Sequence, residues 1–402
     1  MNININKKVT LLFFYRLTLA IASIFIFFTE IDSYLFSSGT FSFRPFLWLI
    51  VFCALSLPLF ISKDNYLPHS MFMWGFGFIV ISLLSFFLIP QPQQILLEEL
   101  QIRISSVIFM LTMNLIFSKN QIIHLWTRRA ALIAVLITVT NNIYQFFNPF
   151  AFNSPLDLIG RSSGFYLNPN KSGAALVIGM IFSVSLLQPK YRLPFVSIVG
   201  IGVLLTFSRS SLINFCVVLM LFIFTRLINR SQLLYWILFI TTILIFLGSP
   251  LWEDILKNPH LSMQRVELIQ QPFNYSDDSS DDRLNIALSG WYLFAKNPLL
   301  GNGIGSTRVW DMEISTHNTY LYYMADHGIL GILMLPLLIY VVTRRARGET
   351  KSIGLIFTVS FLIWGLFSHN ILDLRFSLIM FALMAAMTEA SQLEPKSSVR
   401  NL

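Results

Sequence analysis

The sequence carries little charge for its length. Charged residues make up only 12% of the 402-residue chain, whereas hydrophobic residues make up 55%. A soluble protein of this size would have roughly twice that charged fraction. The few charges separate long apolar runs, and runs of about 18 or more apolar residues are typical of membrane-spanning helices. The composition therefore excludes an ordinary soluble domain and favours a polytopic membrane protein.

The sequence also lacks the motifs of several enzyme classes. It has no phosphate-binding loop of nucleotide hydrolases, no nucleophile elbow of serine hydrolases and no zinc-protease motif. Gly301, Gly303 and Gly305 are not a dinucleotide fingerprint, because no strand precedes them, and we expect a flexible outer turn there. Cys53 and Cys216 both fall within apolar runs, so neither a disulfide nor a metal site is expected. We expect no cofactor.

The apolar runs predict an all-α fold with about twelve transmembrane helices. We place these helices near residues 11–29, 45–62, 68–90, 102–117, 122–147, 171–188, 193–208, 211–228, 233–250, 317–342, 352–368 and 370–388. The chain is predicted to be a single membrane domain, 1–402, with an outer loop inserted at 251–316. In this loop, apolar residues from Leu284 to Ala295 recur at helical spacing, which predicts an amphipathic helix lying in the membrane interface.

The distribution of basic residues indicates the orientation in the membrane. If the predicted spans alternate from a cytoplasmic N-terminus, more than half of the 28 basic residues fall on the cytoplasmic side, with few acids beside them. This is the positive-inside pattern, and it places both termini in the cytoplasm. The net charge of +8 is therefore mostly a topology signal, and we expect membrane lipids as neighbours and no nucleic acid.

His317 and Asn318 stand where the outer loop ends and an apolar run begins. Gly328 and Gly331 follow His317 by 11 and 14 residues, so on one continuous helix they would lie near its face, together with Tyr320. Small residues on that face let another helix approach closely, so we expect the glycines to have a structural role. His317 itself is either an ordinary interfacial histidine or a residue that binds substrate and moves a proton.

Arginines occur in three outer segments, at Arg161, Arg209 and Arg283. Each has an ordinary interpretation: a loop residue for Arg161, a side chain that snorkels to the headgroups for Arg209, and a surface ion pair for Arg283. Together they indicate an anion site, because arginines and helix N-termini both bind phosphate oxygens. Asn168, followed by a proline, is a good N-cap and predicts such a helix start nearby.

A polar cluster falls between the last two predicted spans. His369, Asp373 and Arg375 lie within seven residues of one another in an otherwise apolar region. Ionisable residues at membrane depth usually face a partner or a cavity. The cluster is therefore either a structural ion pair or part of the lining of the site.

These residues resemble the O-antigen ligase and polymerase superfamily of bacterial envelope glycosyltransferases. The ligase signature is His, then Asn, Ser or Gln, nine residues, Gly, two residues, and Gly, Thr or Tyr. The residues that match it in full are His317, Asn318, Gly328 and Gly331. Arg209, in Thr-Phe-Ser-Arg-Ser, and Arg283, in Asp-Arg-Leu, are similar to the family's two arginines. The likeness extends over roughly residues 160–385.

The resemblance implies a GT-C-like glycosyltransferase in the bacterial inner membrane, with its site facing the periplasm and with 251–316 as a periplasmic loop. It implies that a glycan moves from undecaprenyl diphosphate to a hydroxyl of a lipid A-core acceptor, with inversion and without a metal. Catalytic roles then go to His317, Arg209 and Arg283, and substrate-binding roles to Arg161, Asn168, Asn170, Asn318 and Tyr320. Whether His317 is the base or only orients the acceptor stays open, since an acidic residue is an alternative base.

Two other functions remain as alternatives. A polymerase of the same superfamily would use another lipid-linked repeat unit as the acceptor. A polysaccharide flippase or exporter is a weaker alternative. It would explain the spans and the outer arginines, but it would leave the His317 motif unexplained.

Overall fold

The computed structural model describes residues 2–60, 68–89, 94–117, 120–152, 161–229, 278–310 and 315–393. Within these residues the secondary structure is helical and contains no strand. The α-helices are α1 Asn2–Ser23, α2 Ile31–Ser37, α3 Pro45–Phe60, α4 His69–Phe87, α5 Gln94–Phe117, α6 Gln121–Phe147, α7 Pro169–Ser183, α8 Pro189–Leu204, α9 Arg209–Phe224, α10 Asp278–Lys296, α11 Thr319–His327, α12 Met334–Thr343, α13 Gly348–Trp364 and α14 Arg375–Ser391. The chain divides into two compact units, one of Met1–Asp32, Phe43–Ala130 and Ser279–Leu402, and one of Ser33–Ser42 and Ala131–Asp278.

Several helices are long and apolar enough to cross a membrane. Among the described residues these are Leu11–Phe28, His69–Phe87, Gln94–Phe117, Gln121–Phe147 and Thr319–Thr343. Pro45–Phe60 and Arg209–Phe224 are shorter apolar helices. The helices are those of a multi-pass membrane protein, as predicted, whereas the total of twelve spans stays a prediction. The run predicted at 233–250 and much of the 251–316 loop lie outside the described residues.

Helix α10 confirms the amphipathic helix predicted from Leu284 onward. It ends at Lys296, directly before the Asn-Pro pair that predicts its end. Its apolar side chains divide into a buried set, which includes Ile286, and an exposed set, which includes Trp291 and Tyr292. Exposed aromatic side chains suit a membrane interface, and the position of α10 in that interface stays a prediction.

The span predicted over 317–342 is present as Thr319–Thr343, but it is interrupted and is not one continuous α-helix. Helix α11 ends at His327, a 3₁₀ segment spans Gly328–Leu333, and α12 resumes at Met334. Gly328 has φ +65° and ψ −151°, a conformation that residues with a Cβ rarely adopt. Gly328 and Gly331 therefore do not extend the helical face that carries His317.

The two glycines instead allow backbone segments to approach each other. A Cβ at Gly328 would lie 2.4 Å from the carbonyl oxygen of Leu299, in the turn after α10. A Cβ at Gly331 would lie 1.9 Å from the carbonyl oxygen of Tyr323, in α11 itself. Their structural role stays a prediction, and in the structure their close neighbours are the Leu299 turn and α11 rather than a second helix.

The turn at Gly301–Gly305 is fixed by hydrogen bonds, so its expected flexibility is wrong. Gly301, Gly303 and Gly305 all have positive φ, at +78°, +95° and +65°. The N–H of Asn302 donates to the carbonyl of Ala325 at 2.8 Å, and a Cβ on Gly301 would lie 2.3 Å from the backbone of α11. The turn therefore packs directly against the helix that follows His317.

Candidate functional site

His317 lies directly before α11, at a helix start that Asn318 defines. The Asn318 side chain accepts hydrogen bonds from the backbone N–H groups of Tyr320 at 2.9 Å and Leu321 at 3.1 Å. This is the geometry of an N-cap, and it explains why the helix begins at Thr319. His317 and Asn318 are both partly exposed. The imidazole therefore sits at a rigid helix end and remains accessible.

Thr319 joins this helix start to the segment that follows α13. Its N–H donates to the carbonyl of Gly365 at 2.8 Å, and its hydroxyl donates to the carbonyl of Ser368. As a result His369, the residue after Ser368, lies opposite His317, with 5.9 Å between the ring centres. Two histidines 52 residues apart in the chain thus face each other.

The predicted cluster of His369, Asp373 and Arg375 is divided in the structure. Arg375 forms an ion pair with Asp32 and donates to the carbonyl of Pro45 at 3.2 Å, so it has a structural role. Asp373 lies in the turn before α14, where one of its carboxylate oxygens is buried without a hydrogen-bond partner among the described residues. Only His369 lies opposite His317.

A buried ionic network lies beneath the same helix. Arg103 is fully buried on α5 and donates to Glu99 at 2.9 Å, to His327 Nε2 at 2.7 Å and to the carboxylate of Asp326. His327 in turn uses Nδ1 to bind the hydroxyl of Ser85 at 2.6 Å. Because an unpaired buried charge is strongly destabilising, these contacts must form together.

The network reaches the site through Glu99. One Glu99 oxygen accepts from the Tyr322 hydroxyl at 2.6 Å, and the other accepts from Arg308 at 3.0 Å. The Tyr322 ring is also 5.7 Å from the ring of His369. The hydrogen bonds therefore run from Arg103 through Glu99 to Tyr322, whose ring packs against that of His369.

Sequence reasoning missed this network because α5 was predicted to begin near residue 102. The helix actually begins at Gln94, and its first two turns contain Glu99 and precede Arg103. These acidic and basic residues lower the hydropathy of the segment, so an apolar pattern does not include it. The available signal was the four-residue spacing of Glu99 and Arg103, which suits an ion pair on one helix.

The second unit contains a different site, at the N-termini of α7 and α9. Asn168 caps α7 by accepting from the N–H of Asn170 at 2.9 Å, which confirms the predicted N-cap. Ser208 caps α9 in the same way. A Cβ at Gly173 would lie 2.5 Å from the hydroxyl of Ser211, so the lack of a side chain there lets the two helix starts approach closely.

Basic residues surround these two helix starts. Arg161 donates to the carbonyl of Thr206 at 3.1 Å and to the side-chain oxygen of Asn170 at 3.0 Å. Arg209 is exposed at the first position of α9, and Lys171, which the sequence analysis did not single out, is partly exposed in the first turn of α7. Two helix N-termini and three cations favour an anion there.

Not all predicted residues can be placed in this way. The backbone of Arg283 belongs to α10, but its side chain lies outside the described residues. Asn168 and Asn170 are engaged in capping and in binding Arg161, so their substrate-binding role stays a prediction. The hydroxyl of Tyr320 donates to the carbonyl of Leu362 at 2.8 Å, so Tyr320 makes a structural contact.

An open apolar groove of about 610 Å³ lies beside the His317 motif in the first unit. Asn318 and Tyr320 border it, and the remaining lining is aliphatic, with Leu321, Ile332, Leu333, Pro336 and Leu366. This lining offers apolar contacts and few hydrogen-bonding groups. In the described part of the chain, no three His, Cys, Asp or Glu side chains are grouped so as to hold a metal ion.

These features are those of a multi-pass helical membrane protein, with a candidate histidine site in the first unit and a candidate basic site in the second. Residues 194–336 match the family model described as O-antigen ligase. The match supports the O-antigen ligase and polymerase superfamily for this chain, and it includes Arg209, Arg283, His317, Gly328 and Gly331. The match supports a membrane enzyme of the O-antigen ligase or polymerase type. Comparison with curated proteins gives no match.

Proposed function

We propose that this protein transfers a glycan from undecaprenyl diphosphate to a hydroxyl of a lipid A-core acceptor, on the periplasmic face of the inner membrane. The observation that carries the proposal is the His317 motif, which combines an accessible imidazole with a capped helix start. The match of residues 194–336 supports a ligase or a polymerase alike, and the full agreement of His317, Asn318, Gly328 and Gly331 with the ligase signature favours a ligase.

The donor side of the reaction is assigned to the basic residues. The leaving group is a diphosphate, and its negative charge grows as the bond to the anomeric carbon breaks. Arg209 and Arg283 neutralise this charge in the transition state. Arg161 supports the N-termini of α7 and α9 through its hydrogen bonds to Asn170 and Thr206. The exposed position of Arg209, at the N-terminus of α9, supports this assignment.

The acceptor side is assigned to His317. An unperturbed histidine titrates near neutrality, so at physiological pH it can accept a proton from a sugar hydroxyl or orient that hydroxyl by a hydrogen bond. The apolar groove beside Asn318 and Tyr320 suits the isoprenoid chain of the donor. This chain is joined to the reacting anomeric carbon through the diphosphate, so it must lie close to the site of transfer.

The test uses a strain from which the gene is deleted. The wild-type or variant protein is expressed in it, and the lipopolysaccharide is separated on a gel. Wild-type protein should restore long chains, whereas His317→Ala and Arg209→Ala should not, at equal protein levels in the membrane by immunoblot. The matched controls are His69→Ala and Arg129→Ala, since both residues are exposed and outside the proposed site. Full activity of either site variant would contradict the role of that residue.

The same gel distinguishes the alternatives. In the deletion strain, a ligase defect leaves polymer on the lipid carrier and no long chains on the core. A polymerase defect instead leaves cores with a single repeat unit. Unpolymerised lipid-linked repeats on the inner face of the membrane would identify a flippase and overturn the proposal.

A further inference from the structure

His369 is the nearest described imidazole to His317, and it comes from a different segment of the chain. The ring centres are 5.9 Å apart, with 60° between the ring planes, and both residues are partly exposed. His369 lies beyond residues 194–336, so the match to the O-antigen ligase model does not include it.

The spacing of the two rings fits one shared ligand atom. A hydrogen bond from an imidazole nitrogen to a hydroxyl oxygen is about 2.8 Å long, which puts the oxygen roughly 4 Å from the ring centre. Two such distances together exceed the 5.9 Å that separates the rings of His317 and His369. The distance between the rings therefore allows one hydroxyl to bind both imidazoles, as donor to one and acceptor from the other.

The surroundings hold His369 in this position. Thr319 binds the carbonyls of Gly365 and Ser368, which fixes the segment before His369 against the helix start beside His317. On its other side, the ring of Tyr322 is 5.7 Å from that of His369, and the Tyr322 hydroxyl donates to the buried Glu99. Tyr322, which packs against His369, is thus hydrogen-bonded to the ionic network through Glu99.

We infer that His369 is a second acceptor-side residue, which binds the reacting sugar hydroxyl together with His317, and that Tyr322 positions it. This inference rests on the proposed function. In the transfer, the acceptor oxygen bonds to the anomeric carbon while the bond from that carbon to the diphosphate oxygen breaks. The electron pair leaves with the diphosphate, and the hydroxyl proton passes to one of the two imidazoles and then to water.

The test measures transfer by the full-length protein in proteoliposomes. The donor is the undecaprenyl-diphosphate-linked glycan, extracted from cells, and the acceptor is lipopolysaccharide that carries only the core. We expect His369→Ala to lower kcat/KM for the acceptor about tenfold, the effect of one lost hydrogen bond to substrate, with KM for the donor unchanged. Either His369→Asn or His369→Gln should recover part of the loss, because these amides replace Nδ1 and Nε2 respectively.

His369→Phe separates hydrogen bonding from ring packing. If His369 only packs against its neighbours, Phe retains wild-type kinetics and the inference is overturned, whereas loss of acceptor kcat/KM supports it. Tyr322→Phe should reduce acceptor kcat/KM by roughly threefold. Tyr323→Phe is its matched control, because that hydroxyl is buried with no hydrogen-bond partner among the described residues. Equal kinetics of the two tyrosine variants would refute the positioning role of Tyr322.

The outcomes separate this inference from the proposed function. If wild-type protein transfers no glycan, or if His317→Ala is fully active, the proposed function fails. If His317→Ala is inactive but His369→Ala matches His69→Ala in its kinetics, only the inference about His369 fails.

Discussion

Asp326→Asn tests the buried network that supports the site. Asp326 is fully buried, and its carboxylate accepts from the N–H groups of Gly305 at 3.0 Å and Ser306 at 2.9 Å, from the Ser306 hydroxyl at 2.8 Å, and from Arg103. The amide of asparagine has one accepting oxygen instead of two, and it carries no charge. Among the described residues, Glu99 would then be the one carboxylate left on Arg103, and Glu99 is already shared with Arg308.

Loss of one partner from a buried ion pair costs about 3–5 kcal/mol. For a large domain this corresponds to a fall in Tm of roughly 6–20 °C. The measurement is thermal unfolding of the detergent-solubilised protein at a fixed scan rate, followed by tryptophan fluorescence. Ser306→Ala, which removes only one of the donors, should lower Tm less.

A double variant separates the charge effect from packing. Arg103→Met combined with Asp326→Leu removes both charges, and it should be more stable than Asp326→Leu alone because no unpaired arginine remains. A fall in Tm of under about 2 °C for Asp326→Asn, or a double variant less stable than the single one, would refute the reasoning.

The remaining predictions concern single contacts. Gly331→Ala should strongly reduce the amount of folded protein in membranes, because its Cβ would lie 1.9 Å from backbone. Gly77→Ala should not, because its Cβ would meet nothing within 4 Å. Equal levels of the two variants by immunoblot would contradict this prediction. Thr319→Val loses the hydrogen bond to Ser368 and should lower glycan transfer roughly 2–10-fold in proteoliposomes, so wild-type transfer would count against this anchor. Asn168→Ala should lower the free energy of unfolding by about 1 kcal/mol, whereas Asn168→Ser keeps the cap; equal Tm values would argue against capping.

Local signals in the sequence predicted much of the fold. The apolar runs gave an all-helical membrane protein, and the Asn168-Pro169 pair gave the start of α7, because spans and caps depend on residues close together in the chain. The His317 motif was recognisable for the same reason. The helix break at Gly328 was not predicted, because a glycine in an apolar run usually indicates close helix packing. The close contact of Gly328 with the turn at Leu299 is visible only in the structure.

Contacts between distant residues could not be predicted in this way. Asp326 and Arg103 are separated by 223 residues, and neither carries a local signal that names its partner. The pairing of His317 with His369 depends on Thr319 binding a segment 46–49 residues away. Periodicity and caps give no information at that range, so the two histidines appeared as unrelated polar residues.

The buried pairing of Arg103 has a consequence for how the protein enters the membrane. Asp326 is synthesised 223 residues after Arg103, which at 5–20 residues per second takes about 10–45 s. During that interval α5 must hold Arg103 with only Glu99 as a charged partner on its own helix. A charged residue at the centre of a lone span costs roughly 2.5–3.5 kcal/mol on insertion scales. We therefore expect α5 to reach its final depth only after α11 has been synthesised, so that membrane insertion of the first half of the chain depends on the second.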